Sequence, residues 1–148
     1  MCRQAVPTLD RSALAPADGL RKGAYVLNPR VTDPQMILMA TGSEVQHIVA
    51  AEKTLAERGL RARLVSMPCW ELFDEQTEEY RESVLPSSVT ARLAVETGVS
   101  LGWHRWVGAK GAMITLDHYG ASAPAAKIMK ELGFTAENVV AEALKLVG

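Results

Sequence analysis

Two chemistries compete for Thr41-Gly42-Ser43-Glu44, which follows an apolar run and leads into a helical one. A strand-to-helix turn gathers free amides at the positive end of a helix dipole, the place where a phosphate binds. The same residues satisfy Thr-x-x-Glu, in which the hydroxyl accepts from the amide three residues on and the carboxylate reaches back to the cap amide. The capping box is the favoured reading. A P-loop needs more glycines and a following Lys, a dinucleotide fingerprint needs G-x-G-x-x-G, and Glu44 already answers the helix dipole. A nucleophile elbow would need G-x-S-x-G, which "TGSEV" is not.

The other chemistry-bearing residues are few. His118, in "LDHYGAS", follows a strand-like run, and open α/β sheets place ligand crevices at the carboxyl ends of strands. Glu96 and Asp117 end neighbouring runs, so an acid/base pair with His118 is conceivable, although no nucleophile or metal-ligand spacing accompanies it. Thr41, Ser43, Glu96 and His118 therefore define a possible strand-end crevice. His47 falls on the polar flank of its helix and reads as a solvated surface residue, while His104, between Trp103 and Trp106, reads as part of a packed or interface surface. Cys69 has no local Lys, Arg or helix start that clearly activates it and reads as a buried or idle thiol. The run "ELFDEQTEEYRE" from Glu71 to Glu82 lacks a fixed ligand register. Leu72, Phe73 and Tyr80 pin it as short helical turns with the charges solvated.

Composition narrows the partners. The 148 residues carry 22% charged and 48% hydrophobic side chains, enough for a single domain with a core. Lys and Arg number 16 against 17 acidic residues and form no stripe, so neither nucleic acid nor an anionic membrane is an expected partner. No apolar run approaches the ~20 residues of a membrane helix. Two cysteines far apart, and no signal-peptide pattern, make a reducing cytoplasm the expected location.

The elements that must position these residues follow from periodicity. Residues 5 to 22 hold Pro7, Pro16 and Gly19 without a sustained period and read as a connector. Gly23 to Leu27 and Met36 to Ala40 are strand-like and separated by "NPRVTDP", so they can lie antiparallel across a turn. From Ser43 a helix buries Val45, Ile48, Val49, Leu55 and Ala56 and stops at Gly59. Arg63 to Met67 is the next strand, which makes a βαβ crossover with parallel strands. Thr90 to Val95 and Ala112 to Leu116 are further short apolar strands. Two helices close the chain. Ser122 is the expected cap of the first, with Ala125, Ile128, Met129 and Leu132 inward and Gly133 as its stop; Thr135 caps the second, whose inner face is Val139, Val140, Ala143, Leu144 and Val147.

"MILMATGSEV", "LVSMP", "FDEQTEEYRESVLP", "TARLAVETG", "VGAKGA", "HYGASAPA" and "LGFTAENVVAEAL" occur in this order between about residues 23 and 147. Together they resemble the C-terminal domain of transketolase. The resemblance implies a three-layer α/β/α fold with a five-stranded, mixed, mostly parallel sheet whose first strand runs antiparallel. It also implies that residues 1–22 are the end of a preceding domain plus linker, and 23–148 the C-terminal domain. Transketolases are homodimers of the pentose phosphate pathway that move a two-carbon ketol unit between sugar phosphates. They bind thiamine diphosphate and a divalent cation, magnesium or calcium, between two larger domains that precede this one.

The Gly-Asp-Gly segment that holds the diphosphate through its metal has no counterpart here, nor does the glutamate that activates the aminopyrimidine. The resemblance thus implies no catalytic, cofactor-binding or metal-ligating residue in this chain, and no activity for it alone. "CRQ" at Cys2-Arg3-Gln4 resembles the Ser-Arg-Gln or Thr-Arg-Gln segment before the family's linker, which makes Arg3 the expected ligand of the substrate phosphate; Cys2 stands where the family has a hydroxyl. A guanidinium fork suits that role. Trp70, Trp103 and Trp106 are expected to be exposed apolar groups that the preceding domains or the other subunit would cover. The alternative is a stand-alone binding or regulatory module that takes a small anion in the crevice near Thr41, Ser43, Glu96 and His118.

Overall fold

The computed structural model describes residues 5–148. Five strands, β1 (Tyr25–Val26), β2 (Met36–Ala40), β3 (Ala62–Ser66), β4 (Arg92–Val95) and β5 (Ala112–Ile114), form one sheet in the order β1-β3-β2-β4-β5. The β3-β2, β2-β4 and β4-β5 pairs are parallel, and β1 alone runs against its neighbour. This is the mixed, mostly parallel sheet that the motifs led us to expect.

Every residue of β2 is buried, as befits a central strand covered on both faces. The pleat sends alternate side chains to opposite layers. Met36, Leu38 and Ala40 join Leu64, Leu93 and Val95 under α1 (Val45–Glu57) and α6 (Ala136–Lys145). Ile37 and Met39 join Val65 and Ala94 on the other face, under α2 (Trp70–Asp74), α3 (Glu78–Val84) and α4 (His104–Val107). Three layers result, with two apolar clusters separated by the sheet. The segment read as a connector is partly structured. Ala17–Lys22 forms a 3-10 helix, Leu9, Leu14 and Ala15 pack against the first cluster, and the Ala15 amide donates to the Leu27 carbonyl.

Several local expectations change. β1 does not pair with β2 across the intervening turn, because both edges of β2 are taken by parallel partners; it pairs instead with β3, Tyr25 opposite Ser66 and Val26 opposite Val65. Asn28 extends that pairing with its side chain: its amide nitrogen donates to the Ala62 carbonyl at 2.9 Å, and its oxygen accepts from the Leu64 amide at 2.8 Å. In α1 the deeply buried small residue is Ala51, and Ala56 is exposed. The helix does stop at Gly59, where the Gly59 and Leu60 amides close on the Ala56 and Leu55 carbonyls. Its φ of +77° is one that glycine adopts without strain.

Ser122 does not cap α5 (Ala125–Glu131); it stays exposed two residues upstream of Pro124, which occupies the cap position. The ring of Pro124 steers Ala123 away from helical backbone, so a helix could not run from Ser122. All of α5 is at best half-buried, Met129 and Leu132 leaning on the core. Thr135 caps α6 as its position implied, accepting from the Asn138 amide at 3.2 Å. Val139, Val140 and Ala143 are buried beneath α6, whereas Val147 is exposed.

Trp103 and Trp106 are not exposed. They are 2% and 6% accessible, clustered with Phe73 and the half-buried Trp70. Aromatic residues of two helical segments meet there, so Trp103 and Trp106 are covered from within the chain and not by a neighbouring domain. His104 beside them is exposed. The acidic run is pinned by two of the three residues expected: Phe73 is buried and the Tyr80 hydroxyl donates to the Ala24 carbonyl at 2.9 Å, whereas Leu72 is exposed on the outer side of α2, and Asp74 pairs with Arg105 at the surface.

Candidate functional site

The chain leaves β2 for β3 through α1 on one face and returns to β4 through α2 and α3 on the other. Successive connections therefore diverge between β2 and β4, and such a switch point opens a crevice beyond the carboxyl ends of the strands. A cleft of about 350 Å3 lies there, lined by Thr41 after β2, Cys69 after β3 and Glu96 after β4. Glu71 supplies a second carboxylate to its lining, and Trp70, Val99 and Leu101 supply apolar wall. Gly102 makes this wall possible. Its φ is +90°, and a Cβ on it would come within 2.4 Å of the Trp70 ring, so only glycine lets the indole lie against the loop.

The turn after β2 does not form the expected capping box. Gly42–Glu44 is a 3-10 turn, and the Thr41 side chain makes no cap bond. Glu44 is buried and turned inward, its Oε1 accepting from Ser43 Oγ at 2.6 Å and from Thr97 Oγ1 at 3.2 Å. The carboxylate thus ties the loop after β2 to the loop after β4 across the switch point. This tertiary bond wins over the local one that the tetrapeptide also permits. A phosphate cradle is not what this arrangement offers, because the turn presents a carboxylate.

Glu96 accepts from the Gly98 amide at 2.9 Å. Burial pushes its carboxyl pKa up, the charge of Glu44 adds to the rise, and the Gly98 bond opposes it. Cys69 Sγ donates to Glu71 Oε2 at 3.4 Å. Ser43 and His118, grouped with Thr41 and Glu96 in the sequence, do not line this cleft. Ser43 spends its hydroxyl on Glu44, and His118 is exposed, its Nδ1 2.9 Å from the Tyr119 carbonyl. Asp117 is held elsewhere: it accepts from the Ser100 amide and hydroxyl at 2.8 and 3.0 Å and from Thr115 at 3.3 Å. The Ser100 amide chiefly keeps its pKa below the usual carboxylate range. The acid/base pair conceived for His118 is therefore not formed. Arg3 lies outside the described residues.

Among the described residues, none lining the cleft is Lys, Arg or His. A small anion would meet carboxylates and no cation, so the reading of this crevice as an anion site loses its physical basis. What the sequence did not reveal is the apolar lining. Its signal is "GVSLGW", where Val99 and Leu101 sit between turn residues and have no helical or strand period to bury them.

His47 also differs from expectation. It is half-buried, its Nε2 is shielded without a hydrogen-bond partner among the described residues, and burial lowers its pKa against the charges of Glu44 and Glu137. It lines a shallow groove of about 610 Å3 between α1, α5 and the start of α6, together with Lys130 and Glu137.

An open α/β sheet with helices on both faces, one antiparallel edge strand and a cleft at its switch point places the molecule in the three-layer α/β/α class. The family described as "Transketolase-like TK C-terminal domain" matches residues 23–135, and the chain belongs to that family. It is 48% identical to the transketolase of Geobacillus stearothermophilus over 100% of this chain and 22% of that protein. Among solved structures, transketolase from Leishmania mexicana is 43% identical, with a TM-score of 0.78 over 87% of this chain and 18% of its own. A transketolase mutant from Pichia stipitis is 37% identical, with a TM-score of 0.87 over 98% of this chain and 20% of its own. The chain thus spans about a fifth of the length of the relatives it matches.

That family implies thiamine diphosphate and a divalent cation. A diphosphate-bound cation needs several oxygen ligands converging on one point. Among the described residues no three His, Cys, Asp or Glu side chains come together to hold a metal ion, and the cleft offers a diphosphate two carboxylates and no Lys, Arg or His, so its lining does not fit that group. No helix of the described residues is long and apolar enough to cross a membrane.

Proposed function

We propose that this chain is the C-terminal portion of a transketolase, which transfers a two-carbon ketol unit between sugar phosphates in the pentose phosphate pathway. In this reading residues 1–22 are the end of a preceding domain plus linker, and 23–148 form the C-terminal domain. The enzyme works in the cytoplasm as a homodimer. Thiamine diphosphate and magnesium or calcium are held by domains of the enzyme other than this one. Arg3, on the segment leading into the domain, contacts the phosphate of the sugar substrate. The role of residues 23–148 is to complete and brace the assembly.

The observation that carries this reading is 48% identity along the whole chain to a transketolase of which it covers 22%. The test is an assay of the free chain with xylulose 5-phosphate, ribose 5-phosphate, thiamine diphosphate and magnesium. No turnover above blank is expected, and no shift in melting temperature with the cofactor pair. Turnover by the free chain would defeat the proposal.

A further inference from the structure

The loops beyond β4 and β5 are laced together. The Leu116 amide donates to the Gly98 carbonyl at 2.9 Å, and Ser100 bonds Asp117 through both amide and hydroxyl. Side chains on such loops would ordinarily be polar or folded inward. Here the lacing holds Val99, Leu101 and Tyr119 out in solvent, 55%, 81% and 100% accessible. Val99 and Leu101 border the cleft whose lining also carries Glu71 and Glu96. The edge therefore combines an acidic pocket, the indole of Trp70 and an apolar rim left exposed among the described residues.

We propose that this carboxyl edge of the sheet is where the rest of the transketolase docks, through a segment that places an arginine or lysine in the cleft and apolar side chains on the rim. The inference rests on the reading of the chain as part of a transketolase. Three observations select the occupant. The cleft presents two carboxylates and, among the described residues, no Lys, Arg or His, so its electrostatic complement is a cation. Trp70, Val99 and Leu101 make the wall apolar, and arginine and lysine carry apolar stems that suit it. About four fifths of the length of the relatives lies outside this chain, which is ample polypeptide to cover the edge. Burying Glu96 beside Glu44 is unfavourable in the free chain, and a docked cation would relieve it.

The test uses a chimera, the Geobacillus stearothermophilus transketolase with its matching fifth replaced by this chain, beside the free chain. Leu101→Ser and Glu71→Gln should leave the free chain within about 2 °C of its parent, because both residues are exposed. In the chimera both should lower the melting temperature by several degrees. Glu96→Gln should raise the midpoint of the free chain at neutral pH and lower that of the chimera. The charge variants' deficits should shrink as salt rises from ~0.05 to ~0.5 M, since ions screen an interfacial pair. Glu57→Gln, at the end of α1 by the opposite edge, should change neither protein. An active, cooperatively melting chimera that is indifferent to Leu101→Ser, Glu71→Gln and Glu96→Gln would overturn this docking surface and leave the proposed function standing. A chimera that neither turns over nor melts as one unit would overturn the proposed function and the docking surface with it.

Discussion

Asn28→Ala removes two hydrogen bonds at once, and its cost can be worked from the geometry. Asn28 is 8% accessible, its amide nitrogen 2.9 Å from the Ala62 carbonyl and its oxygen 2.8 Å from the Leu64 amide nitrogen. Alanine leaves that buried amide and carbonyl without these partners, at about 1–3 kcal/mol each. The sum, roughly 2–6 kcal/mol, is a large share of the ~5–15 kcal/mol that holds a typical domain folded. At ~2–4 °C per kcal/mol for a domain of this size, the melting temperature should fall by roughly 4–24 °C. Circular dichroism melts measure the fall, and amide exchange at Leu64 localises it, because that amide should exchange faster in the variant. Asn28→Asp sharpens the test. At neutral pH a carboxylate still accepts from Leu64 but faces the Ala62 carbonyl without a proton. On acidification the acid form regains a donor, so the gap to the parent should narrow. An Asn28→Ala protein melting within about 1 °C of the parent, with unchanged exchange at Leu64, would refute the view that this side chain clamps the end of β3.

Further expectations concern the caps, the cleft and the substrate. Thr135→Ala should cost about 1 kcal/mol through loss of the bond to Asn138, seen as a lower melting temperature, whereas Thr41→Val should cost less because Thr41 makes no cap bond. Glu96 has a folded pKa raised by burial, so the folded state holds its proton more tightly, and stability falls as pH rises through the usual carboxylate range into the raised one. Melts across pH should therefore show Glu96→Gln more stable than the parent at neutral pH and no better below the usual carboxylate range. In an assembled enzyme, Arg3→Ala should raise KM for the phosphorylated substrate more than it lowers kcat, read from steady-state kinetics with varied sugar phosphate; an unchanged KM would remove Arg3 from the phosphate site.

The parts of the fold that depend on neighbours in sequence were legible. Met36 to Ala40 is a continuous apolar run, and the strand has those bounds. Thr135 and Gly59 punctuate their helices as their types imply. What was not legible depends on contacts far along the chain. Nothing between Leu27 and Met36 states that β1 will cross to β3, since a turn signal reports only that the chain reverses. Thr41 and Glu44 match a capping box, yet Thr97, 53 residues beyond Glu44, captures the carboxylate. Trp103 and Trp106 looked available for an interface because their cover, Trp70 and Phe73, comes from another helix. At the cleft, Thr41 and Glu96 were legible from their places after strands, while Ser43 and His118 were misgrouped. Backbone position puts all four near the sheet's carboxyl edge, but side-chain direction decides which of them line the cavity.

The central claim is that these 148 residues supply a structural domain of a transketolase and not its chemistry. Turnover by the chimera tests it most directly. Ketol transfer from xylulose 5-phosphate to ribose 5-phosphate should be within about tenfold of the Geobacillus stearothermophilus parent, while the same parent truncated before its matching fifth, and this chain alone, should be far slower or silent. A folded, dimeric chimera without turnover, or a free chain that turns over by itself, would contradict the account.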